Sequence, residues 1–389
     1  MVSHPIQHFC PQYASFAKHP HIRFKVFFAS SLGFKPYLDP NFKQVIAWNN
    51  LQLDKFDHEF LNGEEPVQVD KNLDAPNLDG ALSNFQPDII IIYGYFQKFQ
   101  RRAFNWAKKN RVKIAYIADT EMRQNRNRWK ELVKYPYLRY FFSGVDFALT
   151  VGDANEQYYK HVGLKNKQLI RMHFPIDIEL YKPSYQKRLE LRIRIREEYK
   201  IQHGEFVACV VGKLVPWKNQ GDIIAAMQVL EEQGLTMHLF IVGSGEMEKE
   251  WKHLAKNLKR SKVHFTGFRN SEELPAYYAA SDVYIHPASV EPHSLAISEA
   301  IYMSCPVIIS DRCGSHGPTD DVQENKNGFV YPCGDIAALA DRIKRLLSNP
   351  DRRKQFSRYS HAVSEEFQSY AHKHVVHNLI GEYILETKD

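Results

Sequence analysis

The sequence predicts an α/β protein of two domains, each a parallel β-sheet covered by helices on both faces. The chain has 389 residues, which is too long for one small core and fits two domains. Short aliphatic runs alternate along it with longer helix-compatible segments, a pattern typical of parallel sheets. Hydrophobic residues make up 44% of the chain and aromatic residues 13%, which is enough for two sizeable cores.

The first half of the chain supplies the predicted elements of the first domain. Its opening strand is expected to be very short, because only residues 1–3 precede a turn at residues 4–9; a start further upstream is the alternative. Residues 31–66 are predicted to be a long irregular segment. The predicted strands are 24–30, 88–94, 113–118 and 147–152, and the predicted helices are 13–18, 100–110 and 128–143.

The second half repeats the alternation. Residues 175–183 end the first domain, and residues 189–199 form a charged helix that leads into the second. The predicted strands are 206–211, 237–242, 263–266, 283–287, 307–310 and 329–331, and the predicted helices are 220–232, 246–258, 271–280, 294–303, 336–348 and helices within 355–389. We therefore expect domains at 1–182 and 183–365, a final helical segment at 366–389, and a ligand in the cleft between the domains.

Charge, cysteine and hydropathy patterns limit the class of protein. The net charge of +6 is mild, and the five cysteines lack metal-site spacing, so we expect reduced thiols and neither a disulfide framework nor a zinc site. The densest apolar run, residues 89–93, is much shorter than the roughly 20 residues that a membrane-spanning helix needs. Residues 1–5 do not resemble a signal peptide. These patterns predict a cytoplasmic protein, either free or peripheral on the inner face of the membrane.

Two glutamates eight residues apart, Glu291 and Glu299, bracket the turn from a predicted strand into a predicted helix. The free backbone N–H groups of Ser294, Leu295 and Ala296 at that helix start form an anion site with the positive end of the helix dipole. Two carboxylate acceptors beside an anion site suit a ligand with hydroxylated rings on both sides of a phosphate. A sugar nucleotide is such a ligand. The alternative is a surface loop with two solvated glutamates.

The paired glutamates, followed by Ala300 and by residues 305–311, resemble the signature of the retaining glycosyltransferases of family 4. A common version of that signature is E-G-F-G-L, whereas this chain has E-P-H-S-L at residues 291–295. The departure stiffens the loop and places His293 and Ser294 near the expected phosphates. The resemblance implies the GT-B fold, in which two Rossmann-like domains face each other across a cleft. It also implies that the second domain binds the donor, that the sugar keeps its anomeric configuration, and that neither a metal nor another cofactor is required.

A second segment of the donor domain supplies positive charge. Gly212 ends a predicted strand, and Lys213 and Lys218 follow on one loop. Two cations held there can neutralise a diphosphate without a metal. The segment resembles the family's G-R-L-x-x-x-K-G loop with Lys213 in the arginine position, which keeps the charge but loses the bidentate fork. We expect binding to survive with looser geometry; the alternative is a pair of ordinary surface lysines.

Two further turns of the second half are candidates for the donor site. The glycine turn at residues 241–246 is a weak signal, since it lacks the rest of a dinucleotide fingerprint, and we expect it to be structural. Residues 263–269 resemble the family's base pocket, with Phe268 and Arg269 as the candidate contacts. Among the nucleotide sugars that the family uses, we expect a UDP-sugar.

The resemblance also implies a role for each site residue. Glu299 holds the ribose hydroxyls, and Glu291 hydrogen-bonds the donor sugar and has the catalytic orienting role. The diphosphate lies between the two lysines and the helix start, beside His293 and Leu295. Positive charge at that place stabilises the diphosphate as it leaves.

The resemblance is thinner in the first half, where an acceptor would bind. Residues 4–9, with His4 and His8, and residues 37–42 resemble a bacterial subset of family 4 that modifies polysaccharides and other glycans, and the irregular segment 31–66 fits an acceptor-side loop. Many family members carry a histidine where this chain has Asp119 and Glu121. These two residues are candidates to orient a glycan or lipid-linked hydroxyl, with Asp119 as the second catalytic candidate. Alternatively, they are polar residues at a strand end.

Basic and aromatic residues are interleaved between residues 98 and 140. This composition suits docking on an anionic membrane, where a lipid-linked acceptor would be presented. The same composition occurs in nucleic-acid-binding surfaces, although no nucleic acid is expected here. A solvated surface whose aromatic residues point into the core is the third interpretation.

Other functions remain open on the same architecture. One is a sugar-nucleotide epimerase or a phosphorylase. Another is a catalytically silent partner that binds a nucleotide sugar or glycan, although the intact Lys213, Lys218, Glu291 and Glu299 argue against it. An NAD dehydrogenase is disfavoured, because no complete G-x-G-x-x-G follows a first strand.

Overall fold

The computed structural model describes residues 1–34, 37–39, 44–46, 51–123 and 128–386. Residues 40–42, in the segment that resembles the bacterial subset, and residues 124–127, in the basic segment, lie outside the described residues. Within the described ranges the chain forms the two α/β domains that the sequence predicts. No described helix combines the length and apolar character needed to cross a bilayer.

The first domain is built on a mainly parallel sheet. Its strands in chain order are β1 (Lys25–Phe28), β2 (Tyr37–Asp39), β3 (Gln44–Ile46), β4 (Asp57–Phe60), β5 (Ile89–Tyr93), β6 (Lys113–Ile117), β7 (Phe147–Thr150) and β8 (Leu169–Arg171). Strands β5 to β8 pair in sequence order, and β1 pairs in parallel with β4. Strands β2 and β3 form a separate antiparallel pair.

Residues 1–3 are the very short opening strand that the sequence predicts. Val2 N–H donates to Phe27 O over 3.0 Å, and Tyr93 N–H donates to Met1 O over 3.2 Å. Val2 also forms a parallel bridge with Phe28. Residues 1–3 therefore join β1 to β5, and the sheet has the order β4, β1, residues 1–3, β5, β6, β7, β8.

Strands β2 and β3 lie within residues 31–66, and so does strand β4, which further corrects the prediction that this segment is irregular. The sequence of β4, D-H-E-F, has little apolar character because the strand lies at the sheet edge and is only half-buried. Lys25 on β1 holds it through ion pairs of 3.0 Å to Glu59 and 3.9 Å to Asp57. Polar cross-strand pairing of this kind leaves no hydrophobic period in the sequence.

Helices cover both faces of the first sheet. They are α1 (Cys10–Ala17), α2 (Leu78–Phe85), α3 (Lys98–Asn110), α4 (Arg128–Phe142) and α5 (Asp153–His161). Helices α2 to α5 bury side chains on one face in a single cluster. The other face is covered by α1 and by Val375, Val376 and Leu379 near the end of the chain.

The second domain contains a fully parallel sheet. It is preceded by α6 (Ile178–Gln186) and α7 (Arg188–Glu198), and its strands are β9 (Val207–Val211), β10 (His238–Val242), β11 (Lys262–Gly267), β12 (Val283–His286), β13 (Val307–Ser310) and β14 (Gly328–Tyr331). The helices between them are α8 (Gln220–Glu232), α9 (Glu248–Ala255), α10 (Leu274–Ala280) and α11 (Leu295–Tyr302), and α12 (Ile336–Leu347) follows the last strand. The predicted domain boundary at 182/183 falls inside α6, whose Tyr181 packs in the core of the second domain.

The end of the chain returns to the first domain. Helix α13 (Pro350–Ser369) is followed by a π-helical turn (Tyr370–His374) and by α14 (Val375–Glu386). Gln12 donates to Ala371 O and Ser15 donates to His372 O, both over 2.7 Å. The π-turn therefore docks on helix α1.

Both sheets reverse their strand order at one point. The second sheet has the order β11, β10, β9, β12, β13, β14, which corresponds to 3-2-1-4-5-6 within the domain. In such sheets ligands bind beyond the carboxyl ends of the strands at the reversal. Here that point lies between β9 and β12, so the loops that carry Lys213 and Glu291 lie side by side. The backbone N–H of Ser289 joins these loops by donating to Trp217 O over 2.8 Å.

Candidate functional site

Glu291 lies at the strand-order reversal, paired with Lys218. Its carboxylate Oε2 accepts from Lys218 Nζ and lies 3.0 Å from His286 Nε2. The Glu291 side chain is 13% exposed. Burial raises the pKa of Glu291, but the hydrogen bond to His286 and the charge of Lys218 outweigh it and lower that pKa to about 2. Glu291 is therefore a permanent carboxylate at neutral pH.

Lys218 thus has a partner that the sequence did not indicate. Its ammonium group has three N–H donors, and one of them binds Glu291. The remaining donors suit a phosphate oxygen beside the carboxylate. The lysine is placed by the short 3-10 turn Pro216–Lys218, which ends at Asn219 with a positive φ of 52°.

Glu299 lies on α11 in a different environment. It is buried, and Tyr278 Oη donates to its Oε2 over 2.8 Å. Burial raises the pKa of Glu299 to about 7, although the hydrogen bond from Tyr278 and the neighbouring Tyr181 hydroxyl oppose the shift. This carboxyl group therefore titrates near neutral pH.

The start of α11 offers fewer free N–H groups than predicted. Ser294 N–H donates to Ser315 Oγ over 2.9 Å, so this predicted phosphate donor already has a protein acceptor. The N–H groups of Leu295 and Ala296 in the first helical turn remain as candidate donors to an anion. They lie between the two glutamates in the sequence.

His293 is buried at the contact between the domains. Its ring stacks on Phe174 of the first domain, with centroids 5.1 Å apart and planes at 7°. Its Nε2 lies 3.4 Å from Asp320 Oδ1 and 3.7 Å from Asp321 Oδ2. Burial lowers the pKa of His293, but these two carboxylates outweigh the effect and raise it. The predicted phosphate neighbour is therefore engaged with carboxylates of its own domain.

Asp320 ties this cluster to the first domain. Asp153 N–H donates to Asp320 Oδ2 over 2.8 Å, and Arg171 donates to Thr319 O over 3.0 Å. A Cβ on Gly152 would lie 2.3 Å from Asp320 Oδ2, so the close approach requires glycine. Sequence reasoning missed these residues because their pairing depends on how the domains dock.

Asp119 and Glu121 follow β6 on the first domain but differ in exposure. Asp119 is exposed, whereas Glu121 is fully buried and accepts from Arg123 N–H. Desolvation by the cleft walls raises the pKa of Asp119; His293 opposes the shift, and Glu291 and Glu121 add to it. The charge of Asp119 is therefore coupled to those of His293 and Glu291 on the second domain. Of the two acceptor candidates, Asp119 is the one that an incoming hydroxyl can reach.

His4 and His8 lie at the strand-order reversal of the first sheet, next to residues 1–3. His4 Nδ1 is 2.9 Å from Ser3 Oγ, and the His8 ring contacts Phe174 at a centroid distance of 5.4 Å. Burial lowers the pKa of both histidines to about 4, so both are neutral at pH 7. Since Phe174 also stacks on His293, the three rings form a continuous contact between the domains.

The glycine turn after β10 supports the lysine loop, in agreement with its predicted structural role. A Cβ on Gly243 would lie 2.0 Å from Gly212 O, and one on Gly245 would lie 2.4 Å from Leu214 O. Gly212 itself has a φ of 149°. Lys213 is half-buried on this loop, and its backbone carbonyl accepts from Gln220 Nε2 over 3.1 Å.

The predicted base contacts follow β11 at the edge of the same sheet. Phe268 is half-buried. Arg269 forms a 2.9 Å ion pair with Glu273 and lies over the Tyr277 ring at 5.6 Å, so its guanidinium is held by its own domain. Gln7 of the first domain donates to Ser271 over 2.7 Å, which joins the domains beside this turn.

The match to a known protein family falls on the second domain. Residues 192–363, which contain the lysine loop and both glutamates, match the family described as Glycosyl transferases group 1. These residues form a glycosyl transferases group 1 domain. The match begins in α7 and ends in α13, and the first domain lies outside it.

Similar proteins support this assignment. One similar protein of Mycobacterium tuberculosis is a GDP-mannose-dependent alpha-(1-6)-phosphatidylinositol monomannoside mannosyltransferase. It is 30% identical to this chain over a segment that covers 46% of this chain and 46% of its own length. The chain spans about half the length of the curated relatives it matches.

Solved structures match the whole chain and show the GT-B fold. A glycosyltransferase from Rickettsia africae ESF-5 has a TM-score of 0.71 at 15% identity and covers 98% of this chain and 96% of its own. The Anabaena protein Alr3699/HepE, solved in complex with UDP, has a TM-score of 0.67 at 16% identity, with 98% and 99% covered. The glycosyl transferases group 1 domain is thus the second of two Rossmann-like domains.

Proposed function

We propose that this chain is a glycosyltransferase that moves a sugar from a nucleotide-diphosphate sugar to a hydroxyl acceptor. The observation that carries the proposal is the arrangement of Glu291, Lys218 and Glu299 around the start of α11, at the strand-order reversal of the second sheet. The match of residues 192–363 to glycosyl transferases group 1 supports it. The arrangement offers positive groups for a diphosphate between two carboxylates for hydroxyl groups.

The donor binds mainly to the second domain. Glu299 accepts from the ribose hydroxyls, while Lys213, Lys218 and the first N–H groups of α11 take the diphosphate. Phe268 lies at the base. UDP-sugars are the first candidates, because the similar Anabaena protein binds UDP. The mycobacterial relative is named for GDP-mannose, so GDP-sugars belong in the same test.

The chemical step transfers the anomeric carbon from a diphosphate oxygen to the acceptor oxygen. Negative charge grows on the leaving diphosphate, and Lys218 and the start of α11 stabilise it. Glu291 orients the donor sugar. The charge of Asp119 is coupled to that of Glu291, and Asp119 takes the acceptor proton, which its raised pKa favours. We propose retention of the anomeric configuration and transfer without a divalent metal, since protein cations supply the charge.

The acceptor is a glycan or a lipid-linked hydroxyl presented beside the first domain. The surface of the first domain carries three exposed apolar side chains, Phe96 (65%), Val133 (82%) and Tyr140 (80%). Val133 and Tyr140 lie on α4, together with the basic residues Lys134 and Arg139. Apolar and cationic groups together suit the surface of an anionic bilayer. Sedimentation with phosphatidylglycerol vesicles, but not with phosphatidylcholine vesicles, would support this docking. Equal recovery with both would contradict it.

The donor site is tested by thermal shift with a panel of nucleotide sugars and nucleoside diphosphates, with and without EDTA, on the wild type and on Glu299→Ala. We expect one nucleotide series to stabilise the wild type equally with EDTA, and Glu299→Ala to weaken the effect. Release of nucleoside diphosphate from the matching donor then tests turnover. Binding without release to water or any acceptor would favour a silent partner, and no binding would overturn the proposal.

A further inference from the structure

Two buried polar residues of β12 stand behind Glu291. Tyr284 and His286 are alternate residues of the strand, so their side chains share one face. Tyr284 Oη lies 3.0 Å from His286 Nδ1, and His286 Nε2 lies 3.0 Å from Glu291 Oε2. Tyr284 is 0% and His286 2% exposed. The three side chains form a line of hydrogen bonds from the core to the cleft.

The direction of these hydrogen bonds follows from the protonation states. Burial and the charge of Lys218 lower the pKa of His286, although Glu291 opposes the shift, so the ring is neutral at pH 7 and carries one N–H. A carboxylate only accepts hydrogen bonds, so the proton lies on Nε2 and is donated to Glu291. Nδ1 then accepts from the Tyr284 hydroxyl, whose other neighbour, Val211 O, is more distant at 3.4 Å. Tyr284 thereby selects the ring tautomer.

The two partners of Glu291 bind the same oxygen. Both Lys218 and His286 contact Oε2, and among the described residues no contact to Oε1 is seen. The backbone of this residue is also fixed, because Gly314 N–H donates to Glu291 O over 2.8 Å. Oε1 is therefore the oxygen that can accept from a hydroxyl of the donor sugar.

We propose that His286, oriented by Tyr284, is a positioning residue that holds the Glu291 carboxylate with Oε1 directed at the donor sugar. The inference rests on the proposed glycosyltransferase function and adds a specific requirement to it. Any buried histidine needs hydrogen-bond partners for its ring nitrogens, so the identity of those partners indicates its role. Here both nitrogens are satisfied, and one of the partners is the candidate catalytic carboxylate.

The test measures nucleoside diphosphate release in His286→Leu, His286→Gln and Tyr284→Phe, with the donor that binds the wild type. Glutamine can place an N–H donor near the position of Nε2, whereas leucine cannot. We expect His286→Leu to lower kcat about 10- to 100-fold with little change in UDP or GDP affinity, because a misplaced group loses orientation. His286→Gln should recover most of the rate, and Tyr284→Phe should give an intermediate loss.

The pH profile separates positioning from packing. Loss of the His286 donor raises the pKa of Glu291, whereas the Asp119 and Glu299 carboxyls titrate in every variant. The ratio of kcat in His286→Leu to kcat in the wild type should therefore fall as the pH is lowered, and His286→Gln should restore it. His238→Leu, at the start of β10 and therefore at the sheet edge opposite the cleft, is the matched control. Its ring nitrogens also have partners, Glu205 and His264, and the variant should leave both kcat and its pH profile unchanged. If His286→Leu does not fold, the pH profiles of kcat in His286→Gln and Tyr284→Phe distinguish positioning from packing.

The results that would contradict the positioning role of His286 differ from those that would contradict the proposed glycosyltransferase function. An active wild type with unchanged kcat and pH profile in every His286 and Tyr284 variant would overturn this inference alone. Equal losses of kcat and nucleotide affinity in the leucine and glutamine variants would show a packing role and also overturn it. A wild type that binds nucleotide sugars but never releases nucleoside diphosphate would overturn the proposed function, and this inference with it.

Discussion

The two glutamates of the site lie in opposite electrostatic environments. Glu291 has a cation and a histidine donor beside it, and its pKa falls to about 2. Glu299 is surrounded by tyrosines and apolar groups, and burial raises its pKa to about 7. Side chains of one type, eight positions apart, thus behave as a fixed charge and as a group that titrates at physiological pH. The spacing of the motif does not reveal this difference.

The difference in pKa between Glu291 and Glu299 suits their proposed roles, which are to orient the donor sugar and to bind the ribose hydroxyls. A fixed carboxylate beside Lys218 can orient a sugar at any physiological pH. A carboxyl group near its pKa can accept from ribose hydroxyls when ionised, and its ionisation then depends on pH. The comparison therefore predicts that the two glutamates respond differently to substitution, to pH and to the loss of their neighbours.

The largest expected effect is on turnover. Glu291→Gln should lower kcat about 100-fold or more, because an interaction aimed at the reacting sugar is lost. Glu299→Gln should mainly raise the KM for the donor, by about tenfold for one weakened charged hydrogen bond. Steady-state kinetics of nucleoside diphosphate release distinguish the two patterns, with the exposed Glu232→Gln as the control. A larger kcat loss in Glu299→Gln would reverse the proposed roles.

The next effect is on stability as a function of pH. The pKa of Glu299 is higher in the folded than in the unfolded chain, so between roughly pH 4.5 and 7 the folded state binds more protons. Stability from this group is therefore lost as pH rises, by about 3 kcal/mol in total. The stabilities of the wild type and Glu299→Gln against denaturant should diverge between about pH 4.5 and 7 and run parallel above pH 7, where the variant is the more stable. Parallel curves from pH 5 to 8 would contradict the environment assigned to Glu299.

A comparable effect is expected from removing the cation beside Glu291. Lys218→Met leaves a largely buried carboxylate without its cation, which should cost about 2 kcal/mol of the free energy of unfolding. The double variant Lys218→Met/Glu291→Gln should recover most of that loss, because no unpaired charge remains. The pair of Lys252 and Glu248 is more exposed, at 52% and 29%, and serves as the control; Lys252→Met should cost less than about 0.5 kcal/mol. Additive losses in the double variant would show that the pair is not coupled.

The smallest expected effect concerns Tyr278. Tyr278→Phe removes a hydrogen bond that favours the ionised form of Glu299, so the pKa of Glu299 should rise further and unfolding should cost about 1 kcal/mol less. Nucleotide binding should then require higher pH than in the wild type. Tyr359→Phe removes a hydrogen bond to Gln323 elsewhere and should leave the pH dependence of binding unchanged. An unshifted binding profile in Tyr278→Phe would contradict the contact.

Much of the fold follows from local sequence patterns. The strands β5, β9, β10 and β12 to β14 are short, mainly apolar runs, and their predicted positions agree with the structure, as does the position of the half-buried edge strand β11. The edge strand β4 was missed because its residues are polar and are held by ion pairs with Lys25. Helix α2 and strand β8 were missed as well, since each is short and its signal is weak.

The candidate site was predictable only in part. The turn between Glu291 and Glu299 was located by its place between a predicted strand and a predicted helix. The structure has both, as β12 and α11. The link from Lys218 to Glu291 crosses between loops that the strand order brings together, so sequence spacing could not indicate it. Tyr284 and His286 did leave a signal, because two polar residues alternate in an otherwise buried strand. Asp320 left none.

The most direct test of the division between the glutamates is calorimetric titration with UDP, GDP and ADP in EDTA, using the wild type, Glu291→Gln and Glu299→Gln at pH 8. These nucleotides contain ribose but lack the donor sugar that Glu291 is proposed to orient. We therefore expect the nucleotide that binds the wild type to have the same Kd in Glu291→Gln and a Kd about tenfold higher in Glu299→Gln. Weaker binding in Glu291→Gln with no change in Glu299→Gln would contradict the account.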